Sequence, residues 1–283
     1  MASTVGVMTE HPVFIPTSAG PLGAIVTEPT GPERVAVVIV EPSADFRFGV
    51  NQLWARTARD LADLGAVVLR ADHVGRGESA TATPEAPDPG ESLREATEWF
   101  RSRTADLDGV YVGHCLGAQI AAGLARADER PAGLAMLTPQ LRPMRGAPVE
   151  RRLRDLYLAL RLHRLRAAMG VSIPRRLAYP RLARDEDEGL VGAVVEVAGR
   201  ASVYCLFGDH DPQAGEAWRL RSPSGDDGNV RVEIVPGVNL HHFRSLSAQR
   251  ESRSRVVGWV GRLLEERDRS PDPRASSSTQ GAG

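Results

Sequence analysis

The stretch from Val110 to Ala125, VYVGHCLGAQIAAGLA, decides how the rest of the chain can fold. Its first residues, Val110 to Val112, are typical of a short buried strand, and the small residues that follow have helical periodicity. Gly113 and Gly117 indicate a sharp turn between the two, because a Cβ at either position would clash where strand and helix backbones meet. We expect Cys115 to be exposed at the strand end, at a helix N-terminus that favours its thiolate.

Composition and charge exclude several classes of protein. The 283 residues carry a formal net charge of -1, and all 35 basic residues are arginine, so there is no overall basic field for binding nucleic acid. The two cysteines, Cys115 and Cys205, are too few for a disulfide framework and do not match a metal-ligand spacing, which fits a reducing cytoplasm. No apolar run approaches the roughly 18 residues of a membrane span, and the N-terminus lacks the regions of a signal peptide. We expect a cytoplasmic protein that needs no metal, cofactor, nucleic acid or membrane.

Strand-like and helix-like segments alternate on both sides of the Cys115 stretch. Arg34–Glu41 is a continuous β-branched run of the kind found in a strand buried on both faces, and Ala66–Ala71 is predicted to be the next strand. Val50–Leu64 between them has helical spacing. The other predicted strands are His11–Thr17, Leu22–Thr27, Leu134–Thr138, Ala201–Phe207 and one through Val230, Val232 and Ile234, and the other predicted helices are Ser92–Arg103 and Ala248–Arg267. This order predicts an α/β fold with a mostly parallel central sheet flanked by helices, whose site lies at the carboxyl ends of the strands.

The alternation breaks once, which predicts an insertion. We divide the chain into a first part of the core at 1–141, an inserted helical cap at 142–197, a second part of the core at 198–268 and a disordered, low-complexity tail at 269–283. The predicted cap contains a helix at Glu150–Met169 and is rich in arginine. Its arginines include Arg151, Arg152, Arg154, Arg161, Arg164, Arg166, Arg175, Arg176, Arg181 and Arg184.

Four motifs follow one another in an order that carries a resemblance. They are D-x-x-G-x-G-x-S at Asp72–Ser79, G-x-C-x-G at Gly113–Gly117, G-x-x-D-P at Gly208–Pro212 and a histidine pair at His241–His242. This ordered set resembles the α/β-hydrolase superfamily, in which a G-x-S-x-G nucleophile elbow precedes the acid and the histidine along the chain. Here a cysteine stands where the serine normally does. The resemblance implies an α/β-hydrolase fold over roughly residues 35–267 apart from the cap.

The resemblance also assigns roles to individual residues. Cys115 corresponds to the nucleophile, Asp211 to the acid and His241 to the base, an arrangement that lets a thiol attack a carbonyl as its thiolate. His242 competes with His241 for the role of base, because the loop before them is longer than the family's usual spacing. The oxyanion hole is expected to use the main-chain N–H of Leu116 and that of Ser43 or Ala44. The loop that holds these last two begins Glu41-Pro42, where many members of the superfamily carry His-Gly.

Cysteine in place of serine bears on the reaction. It makes the acyl-enzyme a thioester, so capture of an acyl group from a thioester substrate is nearly balanced in free energy and the intermediate stays activated. The chain is similar in this respect to dienelactone hydrolases, bacterial thioesterase-like acyltransferases and Dieckmann-type cyclases. That resemblance implies acyl transfer from a carrier protein or coenzyme A in bacterial secondary metabolism. The arginine-rich cap is suited to docking an acidic carrier protein or a phosphopantetheine phosphate, although the same residues are also typical of a solvated helix face.

Other functions stay open at this point. A carboxylesterase or lactone hydrolase would use the same three residues, and so would an elimination reaction on the same scaffold. A non-catalytic binding protein of this fold is the alternative from another class, and in it Cys115 would be an inert core thiol. The presence of Cys115, Asp211 and a late histidine in the family's order favours an enzyme, because a chain that had lost its activity need not retain all three.

Overall fold

The structure is a computed structural model that describes residues 8–42, 46–80, 89–141, 186–220, 228–241, 243 and 245–269. Its centre is a sheet of eight strands in the order β1-β2-β4-β3-β5-β6-β7-β8. β1 and β2 pair antiparallel, as do β2 and β4, and every other neighbouring pair is parallel. The strands are β1 (Thr9–Ile15), β2 (Leu22–Glu28), β3 (Val35–Val40), β4 (Ala66–Ala71), β5 (Gly109–His114), β6 (Pro131–Leu137), β7 (Ser202–Gly208) and β8 (Val230–Val235).

Helices cover both faces of this sheet. They are α1 (Leu53–Asp63), α2 (Pro89–Arg103), α3 (Leu116–Ala127), α4 (Glu186–Ala198) and α5 (Leu246–Arg269), with short 3-10 helices at Val50–Gln52 and Ala214–Leu220. α1 and α5 pack on one face, and α2, α3 and α4 pack on the other. The predicted α/β architecture, a mostly parallel sheet flanked by helices, is confirmed.

The position of β3 in the middle of the sheet explains why its sequence is apolar throughout. All six residues of β3 are buried. Val35, Val37 and Ile39 pack toward α1 and α5, whereas the residues that alternate with them pack toward α2 and α3. A strand covered on both faces must be apolar at every position, since successive side chains point to opposite faces. The central strands are therefore held in place by packing on both faces of the sheet.

Helix α4, apart from its last residue Ala198, lies inside the range 142–197 that the sequence predicts as a cap, yet it packs on the core. Leu190, Val194 and Val197 are buried in the same cluster as the apolar residues of α3. The rest of the predicted cap, residues 142–185, lies outside the described residues, including its helix Glu150–Met169 and its arginines. Helix α5 extends through Arg269, the first residue of the predicted tail, and residues 270–283 are also outside the described part.

Candidate active site

Cys115 lies on a strained turn between β5 and α3. Its backbone has φ 53° and ψ −117°, a left-handed conformation that residues with a side chain rarely adopt. Its main-chain N–H donates to the carbonyl oxygen of Leu137 in β6 at 2.9 Å. The turn is therefore tied to the neighbouring strand, so its strained geometry is held by the sheet.

The two glycines of the motif are required by close backbone contacts. A Cβ added to Gly113 would lie 2.5 Å from the Cα of Ala118 in α3. A Cβ added to Gly117 would lie 2.9 Å from the carbonyl carbon of Glu41, just beyond β3. Both distances are shorter than a carbon side chain can occupy without moving the backbone. The motif thus allows α3 to begin close against the ends of β3 and β5.

The prediction that Cys115 is exposed is wrong, because only 8% of the residue is accessible. The turn raises the thiol above the sheet, but the imidazole of His241 lies over it, with Nε2 4.0 Å from Sγ. This separation is at the outer limit for a hydrogen bond to sulfur. Neither Cys115 nor Cys205 forms a disulfide.

His241 is the histidine that the described structure brings to Cys115. It belongs to the loop after β8 and is itself buried, with 8% of the residue accessible. The competing residue, His242, lies outside the described residues.

Asp211 lies in the loop after β7 and contacts the loop that carries His241. Its Oδ1 accepts the main-chain N–H of His241 at 2.9 Å, and its Oδ2 accepts that of Gly208 at 2.5 Å. Burial raises the pKa of the Asp211 carboxyl, and hydrogen bonds from the main chains of Gly208, His241 and Leu240, with the charge of His241, oppose this rise only in part. The three predicted residues Cys115, His241 and Asp211 therefore lie together at the carboxyl ends of β5, β7 and β8.

An aromatic cluster packs against the side of His241 away from solvent. The ring of His114, the residue before the cysteine, is 4.4 Å from that of Phe243 and 6.2 Å from that of His241, measured between centroids. Phe243 also makes an edge-on contact with Trp54 of α1, at 5.9 Å. His114, Phe243 and Trp54 are all buried. These contacts restrict the positions that the His241 ring can take above Cys115.

The described structure includes one of the predicted oxyanion donors. Leu116 is the first residue of α3, so its N–H has no partner within the helix and is available at the helix N-terminus, next to Cys115 in the chain. Ser43 and Ala44, the candidates for the second donor, lie outside the described residues.

The residues on either side of this segment are described, and they contact Asp72 and His73, two residues of the D-x-x-G-x-G-x-S motif to which the sequence assigns no catalytic role. His73 Nε2 lies 2.6 Å from the carbonyl oxygen of Glu41. Asp72 Oδ1 accepts the main-chain N–H of Arg47 at 2.8 Å. The D-x-x-G-x-G-x-S motif is the sequence signal for these contacts, because it places Asp72 and His73 directly after β4, beside the end of β3.

Cys205 differs from Cys115 in its position and surroundings. It lies in the middle of β7 with none of its surface accessible. Burial raises the pKa of its thiol to about 12, so it remains protonated near neutral pH. Within the described ranges, no group of three or more histidine, cysteine, aspartate or glutamate side chains is arranged to hold a metal ion. Among the helices of the same ranges, none is both long and apolar enough to cross a membrane.

A comparison with protein-family models finds no match, and neither does a comparison with curated protein sequences. Solved structures do match. A carboxyl esterase from Bacillus coagulans is 16% identical with a TM-score of 0.60, over 91% of this chain and 100% of that one. An α/β serine hydrolase homologue from Coxiella burnetii is 17% identical with a TM-score of 0.58, over 89% and 98%. An esterase from Pyrococcus furiosus is 14% identical with a TM-score of 0.61, over 91% and 92%.

These similarities cover nearly the whole of each chain. At such low identity they establish the fold and nothing finer. The chain therefore has the α/β-hydrolase fold that the ordered motifs predict.

Proposed function

We propose that the protein is an acyl-transfer enzyme that takes an acyl group from a thioester substrate onto Cys115. The observation that carries this proposal is the 4.0 Å separation of Cys115 Sγ and His241 Nε2 on a strained turn at the end of the central strands. A thiol beside an imidazole, at a helix N-terminus, is the arrangement that a cysteine nucleophile needs.

In this proposal His241 Nε2 first takes the proton of the Cys115 thiol. The thiolate attacks the carbonyl carbon of the substrate thioester, and the carbonyl oxygen becomes an oxyanion that accepts a hydrogen bond from the N–H of Leu116. The intermediate collapses, the bond to the substrate sulfur breaks, and the departing thiolate receives the proton from His241. The products of this half-reaction are an acyl thioester on Cys115 and a free thiol.

The second half-reaction passes the acyl group to an acceptor. His241 removes a proton from water, an alcohol, an amine or an acidic carbon, and the resulting nucleophile attacks the acyl-Cys115 carbonyl. The Cys115 thiolate leaves and takes the proton back. Hydrolysis, transfer to a second molecule and ring closure by an internal carbanion differ only in which acceptor reaches the intermediate.

The substrate class rests on the chemistry of sulfur. Exchange of one thioester for another changes no bond type, so acylation of Cys115 by a carrier-protein or coenzyme A thioester is close to balanced in free energy. The acyl-cysteine that results remains reactive toward weak nucleophiles. Docking of a carrier protein at the arginine-rich range 142–185, a role in bacterial secondary metabolism and a cytoplasmic location stay predictions.

A second candidate is a carboxylesterase or lactone hydrolase. It is favoured by the names of the structures that share the fold, which include a carboxyl esterase, another esterase and a lipase. The same three residues would serve, with an ester or lactone in place of the thioester and water as the acceptor.

Mass spectrometry of the intact protein tests the proposal. The protein is mixed with a panel of acyl-pantetheine thioesters, and Cys115→Ala and His241→Ala are treated in the same way. We expect an acyl adduct that is absent from Cys115→Ala and forms slowly on His241→Ala, and its lifetime in water separates a transferase from a hydrolase. If no adduct and no turnover are found with any thioester, the acyl-transfer proposal is wrong.

A further inference from the structure

We infer that a cavity beside α1 binds the phosphate group of a pantetheine thioester substrate, with Arg59 and Arg70 as the phosphate ligands. This inference rests on the proposed function, because it assigns the far end of the thioester substrate to a second site. The cavity has a volume of about 320 Å³ and is lined by described residues of β1, β2, β4, α1 and the loop after β3. Small-molecule sites have volumes of about 300 to 1,000 Å³, so the cavity is large enough for one end of a ligand.

The cavity is lined by a buried arginine from a strand that is otherwise apolar. Arg70 is the fifth residue of β4, AVVLRA, and its side chain is only 4% exposed. Its Nη2 donates to Glu10 Oε1 at 2.8 Å, and its Nη1 donates to the carbonyl oxygen of Arg47 at 3.4 Å. Its Nε has no hydrogen-bond partner among the described residues. Because a buried N–H without an acceptor is costly, an anion in the cavity would stabilise this side chain.

Two arginines that line the cavity share one carboxylate. Glu10 accepts from Arg70 through Oε1 and from Arg59 Nη2 through Oε2, the latter at 2.7 Å. Arg59 extends from α1, and its side chain is 43% exposed at the rim of the cavity. Two guanidinium groups therefore face a single negative charge, which leaves one positive charge for a ligand.

Arg47 is the third arginine of the lining, and its charge is already compensated. Its guanidinium pairs with the buried carboxylate of Asp72 and with the carboxylate of Glu78, whose side chain is 62% exposed. We therefore assign the ligand to Arg59 and Arg70 and treat Arg47 as part of the wall.

The electrostatic surroundings of Arg70 favour an additional anion. Burial lowers the pKa of Arg70 to about 10, and the charge of Glu10 opposes this effect. The charges of Arg59 and Arg47 also lower the pKa, whereas that of Glu41 raises it. Arg70 thus stays charged near neutral pH, with its charge only partly compensated. A negative ligand beside it would favour the charged form further.

Phosphate is the anion that this lining suits. Arginine binds phosphate oxygens through paired N–H groups, and a phosphate has more acceptor oxygens than the carboxylate of Glu10. It can therefore bind Arg59 and Arg70 while Glu10 keeps one of its contacts. Ile25, Ala55 and Phe48 also line the cavity. They offer apolar contact to the dimethyl-substituted carbon that lies next to the phosphate in phosphopantetheine.

The distance from the cavity to Cys115 matches the length of a phosphopantetheine arm. Arg70 is opposite Ile39 of β3, and Ile39 is opposite Val112 of β5, three residues before Cys115. Neighbouring strands are about 4.8 Å apart and each residue rises about 3.3 Å, which places the Cα atoms of Arg70 and Cys115 about 14 Å apart. About thirteen bonds join the phosphorus and the sulfur, and an extended chain of that length spans about 15 Å. A phosphate in the cavity would therefore let the thioester reach Cys115.

Calorimetric titration of full-length Cys115→Ala, which cannot be acylated at this position, tests the site. The two probes are acetyl-pantetheine and acetyl-pantetheine 4′-phosphate, which differ only by the phosphate. We expect the phosphate to tighten binding by at least about tenfold. Acetyl-coenzyme A and an acetyl-phosphopantetheine group on a serine peptide carry this phosphate in the forms found in coenzyme A and in a carrier protein. The tighter of these two identifies the source of the substrate.

Three further substitutions, each combined with Cys115→Ala, assign the preference to the cavity. Arg59→Gln should reduce the preference for the phosphorylated probe to less than about threefold. Glu10→Gln removes the carboxylate that competes for the same arginines, so the preference should increase by about threefold or more. Arg56→Gln is the matched control, because Arg56 is an exposed residue of α1 that does not line the cavity. It removes the same charge and should keep the preference of the parent protein.

Three outcomes would overturn the inference. Equal affinity of Cys115→Ala for the two probes would exclude the phosphate site, even if the wild type is acylated by thioesters. A smaller preference with Glu10→Gln would show that Glu10, Arg59 and Arg70 form a purely structural ion-pair network. Equal losses with Arg56→Gln and Arg59→Gln would mean that the phosphate responds only to the overall charge.

Failure of the proposed function gives a different result. A preference for the phosphorylated probe that depends on Arg59, without acylation of wild-type Cys115 by any thioester, would overturn acyl transfer and leave the phosphate site in place. The binding measurement and the acylation measurement therefore distinguish the two failures.

Discussion

The Asp211 carboxylate binds His241 through the peptide backbone. Its Oδ1 accepts the main-chain N–H of His241 at 2.9 Å, while its Oδ2 accepts the N–H of Gly208 at the end of β7. The carboxylate therefore joins the loop after β8 to the strand beside it. This bridge holds the backbone of His241, and the imidazole of that residue lies 4.0 Å from the Cys115 thiol.

The buried charge of Asp211 should make the stability of the protein depend on pH. Burial raises the pKa of this carboxyl above its ordinary value of 3.8, so between 3.8 and the folded-state pKa the native protein binds more protons than the unfolded chain. The contribution of Asp211 to the free energy of unfolding is then fully present below pH 3.8 and is lost as the pH rises through the folded-state pKa. Asp211→Asn lacks this titration.

Urea unfolding of the wild type and Asp211→Asn between about pH 3.5 and about 7 measures this contribution, because the variant lacks the carboxyl group. We expect the free energy of unfolding of the wild type to fall relative to that of the variant as the pH increases. A relative increase with pH would mean that the hydrogen bonds from Gly208 and His241 outweigh burial and that the pKa is lowered.

The close approach of α3 to the end of β3 predicts a second stability effect. Gly117→Ala would place a methyl group against the backbone of Glu41, and overpacking of this kind costs about 1–3 kcal/mol. Gly123→Ala is a matched control in the same helix, because the added Cβ has no atom within 4 Å among the described residues, apart from its chain neighbours and the backbone of the helix itself. We expect the control to stabilise the protein by about 0.5–1 kcal/mol, since alanine is the better helix former. Thermal unfolding of both variants gives the comparison, and equal effects would mean that the helix is not pressed against β3.

The sequence predicts the elements of this fold because their patterns are local. Ala66–Ala71 is a strand with the bounds that the sequence predicts, and Val35–Val40, which is apolar at every position, is a central strand as that pattern indicates. The site is predicted in part, since the order of the motifs brings Cys115, Asp211 and His241 to one edge of the sheet. The burial of Cys115 could not be predicted, because the exposed fraction of a side chain depends on how closely distant segments pack, which no local pattern specifies.

Contacts between separate loops are beyond what a motif can specify. The hydrogen bond from His73 to Glu41 joins a side chain to a carbonyl, and any residue type at position 41 would supply that carbonyl. The packing of Leu190 and Val194 on α3 is missed for a different reason. The alternation of strand-like and helix-like segments in the sequence breaks after Leu134–Thr138, so the whole range 142–197, which contains most of helix α4, is interpreted as an insertion.

The two cysteines should react very differently. The pKa of the Cys205 thiol is raised to about 12 by burial, whereas Cys115 lies beside an imidazole at a helix N-terminus. We expect iodoacetamide at neutral pH to label one site in the folded protein and two in urea. Peptide mapping identifies the labelled residue, and Cys115→Ala should remove the fast reaction. Labelling of Cys205 in the folded protein at a rate similar to that of Cys115 would contradict this assignment, because it would mean that reagent reaches the interior of β7.

Cys115→Ser separates the two candidate functions. A serine hydroxyl is not ionised near neutral pH, so it depends on the His241 imidazole to remove its proton. That imidazole lies 4.0 Å from Cys115 Sγ, and the Cβ–Oγ bond of serine is shorter than the Cβ–Sγ bond of cysteine, so the serine oxygen would reach less far toward it. If the protein transfers acyl groups from thioesters, this variant should be acylated at least about 10²-fold more slowly, and its oxyester should not pass the acyl group on to an amine. An esterase should tolerate serine, the usual nucleophile of this fold, and keep or increase its hydrolysis of p-nitrophenyl esters.

Thioester acylation and ester hydrolysis are measured on the wild type, Cys115→Ser and Cys115→Ala, the last giving the background rate. Faster ester hydrolysis by Cys115→Ser, together with no acyl adduct on the wild type, would decide for the esterase.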